Sequence, residues 1–439
     1  MEYSKEKSFC NLNKFLKYSL YCFALTFTLQ TRWIIRPGFL HNEYFEYSTI
    51  SIYVSDLLVL CLAILFGLNL LNKKDTNNKH DLNILLLVTG LGLATFLSIF
   101  FAPDKLLASY KFVLLFESIT IFLILTKTSY NKFKFLYFLL TGVVLQALLG
   151  IWQFFTQSTF KNKWLGMAKH DPAELGTSVI ETINQERWLR AYGSLDHPNM
   201  LGGLLSILAI LLIIVILTKS SHSKLKGKTY IVVTIMLVTL FIALLLTFSR
   251  TAWIGLILGL FCLFFHLLLK SDHQKIRLLI NLLLLPLIIV TTLISFKSDL
   301  ILSRFNTHNR LEIKSIQERK NGYRESIEAI KIAPLFGSGI GNYSLNSSRI
   351  VKNMPAWYHQ PTHNTFLLIW AEIGILGLIY FVSLFGYILW LSKNHYYIAL
   401  SFPLLSILLL DHWLWSLHFG ILLFWIILGT INKNTIAET

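Results

Sequence analysis

Of the 439 residues, 54% are hydrophobic and only 14% charged, well below the roughly 25% charged usual for a soluble domain. A formal charge of +16 at pH 7 does not point to nucleic acid, because the basic residues gather in short loops between long apolar runs. That pattern is the positive-inside signal of a chain facing anionic lipid head groups.

The apolar runs lie near 14–31, 50–71, 83–102, 108–126, 134–156, 199–218, 230–248, 252–269, 278–296, 363–391, 396–411 and 412–430. Runs approaching the roughly 20 residues needed to cross a bilayer predict an all-α, polytopic integral membrane protein of about 12 transmembrane helices. The first run has no clear small-residue cleavage site and reads as a retained span. Cys10 falls in the N-terminal tail and Cys22, Cys61 and Cys262 in apolar spans, so no disulfide framework is implied.

Orientation follows from charge. With Lys5, Lys7, Lys14 and Lys17 inside, the basic loops Asn72–Lys74, Lys127–Lys134, Lys219–Lys228 and Lys270–Arg277 all fall in the cytoplasm. Two long segments, 157–198 and 297–362, are then external. They hold five and ten Lys/Arg residues, which long loops tolerate, and both are long enough to contain structure of their own. Tyr323 to Ile332 reads as an amphipathic helix along the membrane surface, with Ile327, Ile330 and Ile332 beside Glu325, Glu328 and Lys331. Pro334, Gly337, Gly339 and Gly341 break it. The gap Phe248–Thr251 makes its two flanking spans an antiparallel hairpin. No internal repeat is visible, and residues 1–439 read as a single membrane domain.

The scarce polar clusters all fall on the external side of this topology. Arg250, in the hairpin turn, is read either as an interfacial anchor beside Trp253 or as a phosphate clamp, since guanidinium presents a planar fork to phosphate oxygens. Arg324 lies ahead of Leu335 to Gly341, a Gly-rich stretch that either closes a turn or presents amides to an anion. His363 opens a span, where the positive helix end favours the neutral, proton-accepting imidazole; the alternative is an ordinary interfacial histidine among thirteen. Glu372, nine residues on at about 100° per residue, falls on the opposite helical face and reads as a buried group bonded to another span. Asp56, Glu117 and Asp411 are similar and are not ranked. Arg190 precedes His197-Pro198-Asn199, a good helix entry. No metal-binding motif and no phosphate-binding Walker loop occurs in the sequence.

In order and spacing, four pieces resemble the O-antigen ligase superfamily, which includes the related lipid-linked polysaccharide polymerases. They are Arg190-Ala191-Tyr192-Gly193 with Pro198-Asn199, Ser249 to Trp253, Tyr323-Arg324 with Pro334 and Gly337-Ser338-Gly339, and His363 to Leu367 followed by Glu372-Ile373-Gly374. They span roughly residues 187–378. The resemblance implies a GT-C-like membrane glycosyltransferase of the bacterial cytoplasmic membrane, active on its periplasmic face. Its donor would be an undecaprenyl-diphosphate-linked glycan and its acceptor a glycan or lipid, with membrane lipids around it, no nucleic acid and no cofactor or metal. Family roles carry over to Arg250, Arg324 and, less directly, Arg190 as diphosphate ligands and to His363 as catalytic base, with Asn364, Gly337 and Gly339 in support. Ligase, polymerase and protein-glycosylating enzyme stay open. The rival from another class is a flippase for lipid-linked glycans, which would place its site near the midplane between repeated halves.

Overall fold

The computed structural model describes residues 2–70, 79–182, 185–219, 227–305, 310–392 and 395–436. The basic loop Asn72–Lys74 and most of Lys219–Lys228 lie outside the described residues, as do the side chains of Lys5, Lys7 and Cys10.

Sixteen α-helices form the described chain. They are α1 (Glu2–Thr26), α2 (Val54–Leu70), α3 (Lys79–Ile99), α4 (Lys105–Lys127), α5 (Lys132–Thr156), α6 (Pro198–Lys219), α7 (Gly227–Leu246) and α8 (Arg250–Leu269). Then follow α9 (His273–Phe296), α10 (Ser298–Phe305), α11 (Arg310–Ile332), α12 (Tyr343–Ile350), α13 (Thr365–Leu391), α14 (Ser401–Leu410), α15 (Trp413–Ser416) and α16 (His418–Ile436). Among the described residues eight helices are long and apolar enough to cross a membrane: α3 to α9 and α13. Each remaining predicted run also contains a helix, but a shorter or less apolar one. The last two runs are cut by Asp411 and His412, which stand between α14 and α15.

Helix α6 is the centre of the bundle, with its whole apolar window buried, whereas only 17% of the α9 window is buried. It packs against α5, α7, α8 and α14. Apolar burial gives little net drive between helices in lipid, so close packing of small residues matters more. Gly255 on α8 shows this: a β-carbon there would come within 2.6 Å of Pro403 Cα at the base of α14.

The helix ends sort into two groups. At one end the Asn131 amide donates to Tyr21 Oη at 3.0 Å, and Lys275 Nζ donates to Tyr396 Oη at 3.3 Å. Lys132, Thr218, Tyr397 and Thr430 share a cleft there. The described basic loops lie at this end. The opposite end carries the 157–198 and 297–362 segments.

Three short antiparallel ribbons at that end are not anticipated by the all-α expectation. Arg32–Arg36 pairs with Ile50–Tyr53, Phe39–Leu40 with Glu43–Tyr44, and Val179–Glu181 with Arg187–Leu189. Their β-branched and aromatic residues, such as Trp33 opposite Ile52 and Ile180 opposite Trp188, suit a pleated surface. The amphipathic helix expected at 323–332 is longer, starting at Arg310, and it turns a polar face inward. Glu312, Glu325 and Ser326 are buried on it, while Ile327 and Ile332 are exposed. Its buried face meets α12 and α13, whose polar groups need partners.

Candidate active site

The turn between α7 and α8 organises a cluster of arginines. Phe248 takes a left-handed backbone (φ 49°), which turns the Thr247 and Phe248 carbonyls out of the helix. Arg190 Nε donates to Thr247 O at 2.7 Å, and Arg304 Nε donates to Phe248 O at 3.1 Å. Arg250, the first residue of α8, donates from Nη1 to Arg304 O at 3.3 Å. One carboxylate serves them: Glu312 Oε2 lies 2.6 Å from Arg250 Nη2, and its Oε1 accepts from Arg304. Arg319, seven residues or about 10 Å of helical rise beyond Glu312 on nearly the same face of α11, acts electrostatically on Arg304. Its buried Nε has no hydrogen-bond partner among the described residues.

Charge in this cluster is unbalanced. Burial lowers the Arg304 guanidinium pKa; Glu312 opposes the shift, and Arg250 and Arg319 add to it. Burial and the Arg304 charge press Arg190 down in the same way. Two guanidiniums on one carboxylate, with the charges of Arg190 and Arg319 felt through Arg304, leave a site that an incoming dianion would stabilise.

Arg190 differs from the others because every arm is committed. Its Nη1 donates to Ser178 Oγ at 2.7 Å and its Nη2 to Asn199 Oδ1 at 2.8 Å. Asn199, in the first turn of α6, passes the contact on: its Nδ2 donates to Asp411 Oδ2 at 3.1 Å. Asp411 Oδ1 lies 3.5 Å from His363 Nδ1 and accepts the His412 amide at 2.8 Å. A polar chain therefore runs from Arg190 through Asn199 and Asp411 to His363. Nearby, His197 Nδ1 accepts the Asn199 amide at 3.1 Å, so that nitrogen is unprotonated. Burial and the Arg190 charge push this imidazole down, in keeping with a neutral ring.

His363 itself is held from both sides. Tyr323 Oη donates to its carbonyl at 3.2 Å. The next residue, Asn364, caps α13 by accepting the Leu367 amide at 3.1 Å. His363 Nδ1, 3.5 Å from Asp411 Oδ1, is buried without a hydrogen-bond partner among the described residues, and His363 forms part of the wall of an open cleft.

Other predicted residues stand elsewhere. Arg324 is exposed, twelve residues or about 18 Å of helical rise beyond Glu312, and its charge reaches Tyr358 rather than the cluster. Gly337 and Gly339 belong to a turn docked on α13. The Ser338 and Gly339 amides donate to Ala371 O and Glu372 O, each at 2.9 Å, so these amides are not free for an anion. Glu372 accepts Trp415 Nε1 at 2.8 Å, a bond to another span, as its helical face implies.

Sequence reading missed Arg304, Arg319, Glu312 and the role of Asn199. Their long separations in the chain hide them. Asp411 and His412 did leave a signal, a polar pair interrupting the apolar stretch 396–430. Two sets of side chains bring candidate metal-ligand atoms within 4.8 Å of one another: His363, Asp411 and His412, and Asp56, Glu117 and His418. In the second, His418 Nε2 lies 2.5 Å from Asp56 Oδ1, and Asp56 Oδ2 accepts the Tyr53 amide at 2.7 Å. That set ties α2, α4 and α16 together.

The structure thus defines a class: many-helix membrane proteins with an arginine cluster and a histidine–aspartate pair at one end of the bundle. The O-antigen ligase family model matches residues 235–382. The match takes in Arg250, Arg304, Glu312, Arg319 and His363, and over this third of its length the chain is similar to the O-antigen ligase family. No curated protein matches the chain.

Proposed function

We propose that the protein is a glycosyltransferase of the bacterial cytoplasmic membrane, with its active site on the external face. It transfers a glycan from undecaprenyl diphosphate to an acceptor hydroxyl, as an O-antigen-type polymerase or ligase, inverting and without a metal ion. About twelve spans in a GT-C-like arrangement, with the basic loops inside, complete the reading. The observation that carries it is the pairing of Arg250 and Arg304 on Glu312, with Arg190 beside them linked through Asn199 and Asp411 towards His363.

The donor diphosphate sits against Arg250, Arg304 and Arg319, while Arg190 holds Asn199 in place. Arg324, apart from this cluster, is assigned to the glycan side. The acceptor oxygen attacks the sugar C1 from the face opposite the diphosphate. As the new C–O bond forms, the C1–O bond to the diphosphate breaks and its electron pair leaves with the phosphate oxygen. The arginines stabilise that growing charge without reorganising. The acceptor proton passes to His363 Nε2, the ring nitrogen other than the Nδ1 beside Asp411. Attack from the far side inverts the anomeric centre.

Metal independence draws support from committed donors. Asp411 already accepts from Asn199 and His412, and His412 Nδ1 is 2.7 Å from Ser416 Oγ. The test is transfer in vesicles containing the purified chain and a prenyl-diphosphate oligosaccharide, with EDTA throughout. Wild type should transfer, and His363→Ala and Arg250→Ala should not while remaining folded. Inhibition by EDTA would remove the metal-free assignment; no transfer to any acceptor would move the reading to a flippase. Product length separates polymerase from ligase.

A further inference from the structure

We infer that the cleft beside His363 is the acceptor subsite and that it selects an uncharged or amino sugar over an anionic one. The inference rests on the transferase reading above. The cleft opens to solvent. Glu318, Asn321 and Glu325 line one wall, and their spacing puts them on a single stripe of α11. Trp357, Gln360 and His363 line the other.

These groups suit a sugar. Trp357 is 53% exposed and offers a flat apolar face for the C–H side of a pyranose. Asn321 and Gln360 carry amides that both donate and accept, and the carboxylates accept from hydroxyls. Glu325 is fixed in position: Tyr358 Oη donates to it at 2.8 Å and Ser347 Oγ at 2.7 Å. Among the described residues no lysine or arginine lines the cleft. The nearby cations are Lys314, over the Trp357 ring at 4.5 Å and 3.7 Å from Glu318, and exposed Arg324 near Tyr358. A phosphate or uronate in the cleft would face two carboxylates without a lining cation, a built-in penalty against anionic acceptors.

Helix α11 carries the two halves on different faces: Arg319, next to Glu318 in sequence, falls on the Glu312 face, about 100° round from Glu318. Glu312 marks its arginine end, and Glu318 the cleft, six residues or about 9 Å further along. His363 lies on the cleft wall with Asp411 behind it. The reacting hydroxyl therefore enters from the acidic, aromatic side and the diphosphate leaves on the cationic side. This arrangement favours a glycan acceptor over a phosphate-decorated lipid head.

The test is binding of the purified full chain, without donor, to an array of neutral, amino and acidic oligosaccharides. Wild type should bind neutral or amino members at least tenfold more strongly than acidic ones. Trp357→Ala should lose at least tenfold and Trp357→Phe should recover most of it. Glu318→Lys should narrow the discrimination against acidic glycans. A preference for acidic members, equal binding of all classes, or no binding at all would overturn the proposal. Because binding is read without turnover, array binding in a chain that fails the vesicle assay would count against transfer and not against the cleft. Transfer with no class preference on the array would do the reverse.

Discussion

Asn199 Nδ2 donates to Asp411 Oδ2 at 3.1 Å across 212 positions of sequence, and this one bond joins the arginine cluster to the histidine. In the proposed reaction Asp411, 3.5 Å from His363 Nδ1, is a positioning residue for the imidazole. Asp411→Asn keeps the volume and a contact to Asn199 but lets the ring present the wrong tautomer. Transfer should fall in kcat by about 10²–10⁴-fold, with the KM for the lipid-linked donor little changed and the pH profile altered. A variant that loses donor KM instead, with the profile intact, would make Asp411 a structural residue only.

How much of this the sequence shows depends on distance along the chain. Alternation of apolar runs and basic loops placed the eight helices that are long and apolar enough to cross among the described residues, because lipid imposes length and polarity directly. Arg250 and His363 stood out for the same reason, as polar residues where apolar ones are the rule. Arg304 and Glu312 did not, since they sit in a polar segment where charges are ordinary and only folding brings them to Arg250. Arg324 shows the converse: a residue legible by motif but standing on exposed helix, away from the cluster. The ribbons were hidden because strands of two to five residues carry too little periodicity to read.

Gly374 breaks the α13 backbone at φ 75° and ψ 179°, where Ile375 donates its amide to Pro334 O at 3.0 Å. A β-carbon at this position would stand 2.0 Å from Leu335 O. Gly374→Ala combines a strained backbone with that clash and should cost at least about 2 kcal/mol. Thermal unfolding in detergent checks it. An unchanged midpoint would mean the 335–341 turn is not docked on α13 as described.

Arg36 and Asp104 clasp the first ribbon to the start of α4, Nη2 to Oδ2 at 2.6 Å. Burial alone would raise the Asp104 carboxyl, but the Arg36 hydrogen bond and the Leu107 amide offset this and hold it below its ordinary range. Its folded value is thus the lower one. The stability it adds is present above the usual unfolded value of about 3.9 and fades as pH falls through the folded value. Against wild type, Asp104→Asn should be less stable by about 1 kcal/mol or less near neutral pH. That gap should close by about pH 2.5. Unfolding midpoints of the two chains across this range decide it; a gap that widens in acid contradicts the sign.

Glu312 holds the arginine cluster together, and it also competes with the substrate for it. Its carboxylate is buried, with 4% of the side chain exposed, while Arg250 and Arg304 keep 30% and 16%. Glu312→Gln removes the negative charge and leaves the guanidiniums to repel one another. Loss of a fully buried pair costs roughly 3–5 kcal/mol, and partial exposure of both arginines brings the expected destabilisation nearer 1–3 kcal/mol. The same change frees two planar forks for phosphate oxygens. Inorganic pyrophosphate should therefore inhibit Glu312→Gln more strongly than wild type, by about tenfold for some 1.4 kcal/mol of released competition. Arg250→Ala should move inhibition the other way, and added salt should weaken both effects. A Glu312→Gln chain that is less stable yet no more sensitive to pyrophosphate would separate the two roles, leaving Glu312 a clasp and directing the diphosphate away from this cluster.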